Sequence, residues 1–308
     1  SATNLLALLA ARVAPERKAA AGSAVWIMMI AGLAATGIGV GAVLDPYSAA
    51  RLVAITAIVA AIALGLTAVA LWGIEGRAAA APAERGEPFR QALREIWADP
   101  RARAFALFVF AAMLAYNTQD LILEPYAGHV FGMSPGESTQ LGGMHHAGAL
   151  LGMLIVLAAS ASRRVNVPVK LWVTGGCLAS GAALIALGTG GQAGPGWPIA
   201  PNVFVLGLSN GVFAVAAIGA MMGLASEGAR AREGTRMGLF GAAQAIAFGL
   251  GSFLGTAAVD LMRSLAPDPA AYGTVFILEG GLFLVSALLA ARIAMAPRPS
   301  PALAIAGE

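Results

Sequence analysis

Residues 105–128 read FALFVFAAMLAYNTQDLILEPYAG. An unbroken apolar run, FALFVFAAMLA, leads into a segment carrying Asn117, Gln119, Asp120 and Glu124. A helix needs about 20 mainly apolar residues to cross a hydrocarbon core about 30 Å thick. The stretch has that length, so it reads as a membrane-spanning helix that carries acid. Each ionisable group near a bilayer centre costs roughly 2.5–3.5 kcal/mol on insertion scales. Two on one stripe are therefore expected to turn towards the protein interior or a polar cavity, away from lipid. Asp120 and Glu124 stand four residues apart and share a helix face. Asn117, three residues before Asp120, is placed on the same stripe, and Gln119 is expected to point elsewhere. Pro125 and Gly128 are read as the end of the helix, which puts both carboxyls in its outer half.

The rest of the chain has the same character. Of 308 residues, 58% are hydrophobic and only 11% charged, too few charges to cover a soluble fold of this size. Spans are predicted at about 20–44, 50–73, 104–128, 139–160, 169–189, 200–225, 236–261 and 272–296. The fold class is all-α polytopic membrane protein. The single cysteine, Cys177, lies in an apolar segment and reads as a small core residue. SATNLLALLAARVAPERK at the start reads as the tail of a span followed by a charged loop, so the chain is expected to be the later portion of a longer protein.

Charge sets the orientation. All but Arg51 and Arg263 of the nineteen Lys and Arg residues fall before the first full span, in alternate connections or after the last span. That asymmetry makes those loops and the C-terminus cytoplasmic. Basic residues spread over short loops without interleaved aromatics do not form a nucleic-acid surface.

Residues 74–103 divide the chain. A small-residue linker, AAAAPAERGE, precedes PFRQALREIWADPR, where Phe89, Leu93, Ile96 and Trp97 recur at helical spacing. An amphipathic helix lying along the cytoplasmic interface is expected there. Before it, 1–73 holds the tail of one span and two whole spans; after it, 104–298 holds six, with 299–308 as a cytoplasmic tail. Six spans, a long loop and six spans is the plan of the major facilitator architecture, here lacking roughly its first three and a half helices. An internal echo supports this: the spans closing GVGAVLD at Asp45 and LGTAAVD at Asp260 both follow basic loops and are rich in small residues. Such residues let helices approach closely, so both spans are expected to line seams.

The next helix, beginning near Ser138, carries His145 and His146 at a depth matching the acidic pair. Adjacent residues diverge by about 100°, so one imidazole is expected to face the carboxylates squarely. Three roles suit the constellation: a buried network pinning two helices, a proton relay beside a transported solute, or ligation of a metal, including the magnesium of a chlorophyll-type ring. Glu279, in FILEGG, reads as a packing contact or part of a central cavity. His129 is expected to snorkel to the interface. Asn117, Asp120 and Glu124 faintly echo the N-x-x-D-x-x-x-D motif of membrane prenyltransferases. That chemistry needs a second acidic cluster and basic residues nearby, and neither accompanies the first, so no enzyme is expected.

YNTQDLILEPYAGHVFGMSPGESTQLGGMHHAGALLGM resembles the PucC/LhaA group, the bacteriochlorophyll-delivery branch of the major facilitator superfamily. VWIMMIAGLAATG and EGTRMGLFGAAQAIAFGLG are similar to further family segments, so the likeness covers essentially the whole chain. The resemblance implies an intracytoplasmic photosynthetic membrane, or the bacterial inner membrane. It implies bacteriochlorophyll as a transient cofactor, and light-harvesting α and β polypeptides, with the reaction centre, as partners. It also implies that Gln119, Asp120, Glu124, Pro125 and Tyr126 border a pigment or partner site. No free metal ion is expected; His145 or His146 would ligate the pigment's magnesium, a role that rests on imidazole chemistry because the pair matches no family motif. The loop SRRVNVP lacks the G-x-x-x-D-R-x-G-R-R pattern of transporting facilitators. The alternative function is proton-coupled transport of a small solute.

Overall fold

The computed structural model describes residues 18–72, 94, 97–162, 167–226 and 230–295. Its elements there are helices: α1 (Lys18–Leu44), α2 (Ala49–Leu71), α3 (Pro100–Phe131), α4 (Pro135–Ala161), α5 (Val169–Gly190), α6 (Ile199–Ser226), α7 (Arg230–Arg263) and α8 (Asp268–Met295), with a 3₁₀ turn at Gly191–Ala193. Each predicted span corresponds to one of them, and all eight are long and apolar enough to cross a membrane. The remnant span at 1–11, most of the interfacial linker helix, much of the SRRVNVP loop and the C-terminal tail lie outside the described residues.

The helix carrying the acidic pair is longer than predicted. Asp99 caps its start by accepting from the Arg101 N–H, and Pro100 occupies the first turn, where no N–H is needed. At the other end neither Pro125 nor Gly128 stops it. Proline lacks a donor, yet its fixed φ is helical, and α3 runs on to Phe131. The stop is Gly132, whose φ of 68° is left-handed, as at many helix C-termini. Helix α4 also starts earlier than expected. Ser134 accepts from the Glu137 N–H while the Glu137 carboxylate accepts from the Ser134 N–H, a reciprocal capping box.

Helix α4 is the hub. It packs against α6 on one side and α1 on another; α5 joins α6 to α8, and α3 bridges α7 and α8. The α4–α6 contact is backbone on backbone. A Cβ added at Gly207 or Gly211 of α6 would overlap the carbonyl oxygens of His145 and Ala149, and one added at Gly148 or Gly152 of α4 would overlap those of Phe204 and Leu208. Two small-xxx-small pairs thus interlock. In lipid, where apolar surface gives little drive to associate, such close packing holds helices together.

The echo between α1 and α7 is realised in packing. Gly37 of α1 meets the backbone of Gly143 on α4, and Gly251 and Gly255 of α7 meet Leu114 and Thr118 of α3. Asp45, just past α1, tethers the start of α4: its carboxylate accepts from the Ser134 hydroxyl and from the Gly136 N–H. Helix α2 buries none of its apolar window, so Leu52, Ile58 and Leu64 present an outward apolar surface.

The interlock generates a stability prediction. Gly211→Ala should destabilise the protein by about 1–3 kcal/mol through overpacking, read as a fall in thermal midpoint in detergent. Gly175→Ala, where a Cβ meets nothing within 4 Å, should leave the midpoint level or slightly raised. Equal responses would show that the seam is not the constraint.

Candidate functional site

Helix α3 sends its polar residues to different neighbours. Asn117 leaves the predicted stripe: its amide donates to the Phe248 carbonyl at 2.8 Å and to the Ser252 hydroxyl at 2.6 Å, both on α7. The glycines of α7 bring that backbone within reach. Thr118 follows it, donating to the Gly251 carbonyl at 3.1 Å. Tyr126 departs as well, being fully buried, with its hydroxyl donating to the Leu187 carbonyl of α5 at 2.7 Å and its ring against Phe276. It is a core residue and borders no open site. Pro125 is exposed beside it.

The remaining residues converge. One carboxylate oxygen of Asp120 lies 3.9 Å from His145 Nδ1 and 3.8 Å from His146 Nε2. Both imidazoles address it, contrary to the expectation of one: their rings stand 5.3 Å apart at 80° and approach the carboxylate from two sides. Burial differs sharply across the three. His145 is 1% exposed, His146 13% and Asp120 40%. Contrary to the expectation that the acidic pair turns inward, Glu124 is exposed on the same flank as the 40%-exposed Asp120, with one oxygen 3.0 Å from where a Gly142 Cβ would sit. Residue 142 must be small for the carboxyl to lie there.

A second layer holds the imidazoles. His146 Nδ1 donates to the Gly142 carbonyl at 2.8 Å, which leaves Nε2 facing Asp120. His145 Nε2 meets the Asn210 amide of α6 at 3.2 Å, and Ser180 of α5 donates to Asn210 at 2.8 Å. Gln119, expected to point away from the stripe, does so and is buried, its amide 3.5 Å from the same His145 nitrogen. Asn210 and Ser180 went unnoticed in the sequence. The available signal was Ser209-Asn210 interrupting the apolar run VFVLGLSNGVF.

Two atoms of this layer have no hydrogen-bond partner: His145 Nδ1 and Gln119 Oε1. Both are buried, where an unpaired polar group costs free energy. Beside the cluster lies an apolar cleft lined by Trp26, Met113, Tyr116, Phe213 and Phe248, with Asn210 reaching it from the polar side. Glu279 is not part of the constellation. It is buried in α8 with neither carboxylate oxygen hydrogen-bonded. His129, expected to snorkel, is exposed yet pairs with the Tyr272 hydroxyl at 2.8 Å.

The family described as PUCC protein matches residues 1–297. The chain belongs to the PucC family. Among similar proteins is the "Bacteriochlorophyll synthase 44.5 kDa chain" of Rhodobacter capsulatus, 50% identical over 96% of this chain and 69% of that one. The "Uncharacterized protein in puhA-bchM intergenic region" of Rhodobacter capsulatus is 30% identical over 91% of this chain and 60% of its own length. A "Protein PucC" of Cereibacter sphaeroides is 28% identical over 86% and 58% respectively. Against these last two, the chain spans about three-fifths of the relative. PucC membership and eight apolar helices make this an integral membrane protein.

The second layer can be tested directly. Asn210→Ala removes the partner of both His145 and Ser180 and should cost about 1–3 kcal/mol as buried groups are orphaned. Ser180→Ala should cost less, because Asn210 still reaches His145. Thermal unfolding in detergent checks the order, and the reverse order would break the proposed chain of contacts.

Proposed function

We propose that the chain belongs to a non-catalytic assembly factor that holds bacteriochlorophyll within the membrane and passes it to light-harvesting polypeptides. The observation that carries this reading is the placement of the cluster. Asp120, Glu124 and His146 form a polar flank that is open on one side, at a depth where both α3 and α4 are membrane-spanning. Polar and ionisable groups are retained inside a membrane where they serve a ligand or a pathway. Family membership, together with a relative named for bacteriochlorophyll, supplies the ligand class.

The residues fit that ligand unequally. His146 is partly exposed and has its Nδ1 anchored on a carbonyl, which leaves Nε2 as the available ligand atom of a neutral imidazole. His145 is sealed between α4 and α6 and offers no room to a macrocycle. Of the two expected magnesium ligands, His146 is the one the geometry favours. Bacteriochlorophyll supplies light absorption; the protein's part is to hold and orient it. The donor set also argues against the synthase chemistry in a relative's name. Magnesium pyrophosphate is bound through clustered oxygen ligands, whereas the metal-competent cluster among the described residues pairs one carboxylate with two imidazoles.

A transporter reading draws on the same contacts, since a carboxylate between two imidazoles can pass protons. The two readings separate in the cell. With His146→Leu in the full-length protein, near-infrared antenna absorption should fall several-fold while the variant remains in the membrane and free pigment persists. Unchanged antenna bands would overturn the assembly reading. Proton-dependent solute uptake by vesicles that is lost in Asp120→Asn would favour transport instead.

A further inference from the structure

We propose that Asp120, His145 and His146 form a three-ligand site for a d-block dication of the zinc class. The inference goes beyond the pigment reading and does not rest on it; because both draw on His146 Nε2, the ion and the pigment's magnesium are alternative occupants of that nitrogen. A chlorin's magnesium needs one axial donor; here three donor atoms from two helices, all within 4.8 Å of one another, converge on one point.

The donor chemistry selects the ion. Two imidazoles and one carboxylate suit zinc, cobalt, iron or nickel, while calcium and magnesium favour all-oxygen surroundings. Bonds of about 2.0–2.1 Å in a tetrahedron place ligand atoms roughly 3.3–3.4 Å apart. The carboxylate–imidazole separations of 3.9 and 3.8 Å are wider by about half an ångström, and the two imidazole nitrogens lie within 4.8 Å of each other. Binding an ion there requires rotation about the side-chain bonds of Asp120 and His146, neither of which is fully buried.

The two orphaned atoms give the second, independent observation. His145 is nine-tenths and more buried, and its Nδ1, aimed at Asp120, has no partner. An ion there gives it one. Ligation by Nδ1 puts the ring proton on Nε2, which then needs an acceptor. Two amides already face that nitrogen, Asn210 at 3.2 Å and Gln119 at 3.5 Å. A half-turn of each amide exchanges its oxygen and nitrogen, so Nε2–H donates to the amide oxygens and Gln119 Oε1 is satisfied as well. Ser180 can accept from Asn210 as readily as donate to it, because a hydroxyl does both. One ion and two amide rotations thus give both orphaned atoms a partner, with the Gln119 amide nitrogen taking the place its oxygen held. His146 needs no change of tautomer, since its Nδ1–H already donates to Gly142 and its Nε2 is the ligand atom. The 40% exposure of Asp120 leaves coordination positions open on its side, the mark of a site that exchanges ligands. Filled, the site ties α3 to α4 at the level where α4 meets α6.

The experiment uses tag-free, full-length protein from cells unable to make bacteriochlorophyll, stripped with a chelator in mild detergent and titrated with Co²⁺. One Co²⁺ per chain is expected, with the strengthened visible bands of four- or five-coordinate cobalt, displaced by an equivalent of Zn²⁺. Losing a ligand costs more than the 10–100-fold typical of losing an outer-shell partner, so Asp120→Asn and His146→Gln should each weaken binding by at least about 100-fold. Asn210→Ala should weaken it by about 10–100-fold with the bands retained. Asp120→Asn is the deciding variant, being nearly isosteric at the most exposed position; its helical circular dichroism and elution should match those of the parent. Absence of stoichiometric Co²⁺ binding by the parent, or parent-like binding by Asp120→Asn, overturns the proposal. Pigment is absent throughout, so either result leaves the assembly reading to its own test.

Discussion

The site depends on the contact between the backbones of α4 and α6. Gly148 and Gly152 face Phe204 and Leu208, and Gly207 and Gly211 face His145 and Ala149, so closely that no side chain fits between. The carbonyl of His145 is thereby pressed onto Gly207, and three residues further along α6 the amide of Asn210 lies against its ring. The same interlock that holds two helices together in lipid also sets the position and rotation of a buried imidazole. Hydrophobic drive could not do this between surfaces that lipid solvates equally well; contact distance can. The site is therefore built on closely packed elements, with its most exposed candidate ligand, Asp120, supplied from α3.

Helix α3 shows how a membrane-spanning segment carries several polar residues at low cost. Each is turned to a different partner: Asn117 and Thr118 to the carbonyls of α7, Tyr126 to a carbonyl of α5, and Gln119 to an imidazole of α4. Single interhelical bonds of this kind average about 0.6 kcal/mol in one membrane protein, so their role is to set the rotation of α3 more than to stabilise it. With those four fixed, the direction of Asp120 follows. It emerges on the flank shared with α4, where the acidic residue spaced four positions further on, Glu124, emerges too.

Much of this was legible in the sequence. Span number and order followed from hydrophobic length, and the depth shared by the acidic pair and the histidines followed from helix direction. The fate of Asn117 did not, because a separation of three residues leaves about 60° between side chains, enough to reach a different neighbour once α7 closes in through Gly251 and Gly255. Pro125 misled for a reason of the same kind: proline disfavours a helix interior without forbidding it, and the real stop, Gly132, is a glycine in the run VFGMSPGE. That run also held the capping signal Ser134-x-x-Glu137, which places the start of α4. Asn210 was hidden because a lone amide in an apolar run shows nothing of its partner 65 residues earlier.

The convergence of the three donor atoms bears on the proposed pigment reading. A macrocycle needs a flat, open approach and one axial nitrogen. Of the two imidazoles, His146 is partly exposed with its Nε2 facing Asp120, while His145 is buried against Asn210. A cluster that served pigment alone would have no use for the inner imidazole, whose unpaired nitrogen is costly to bury. An ion drawn into the space between the three side chains would make that imidazole an asset and leave Glu124 and the outer face of Asp120 for a larger ligand. Burial distinguishes the two adjacent histidines, the inner one fixed by the α4–α6 seam and the outer one 13% exposed, while both address the same carboxylate.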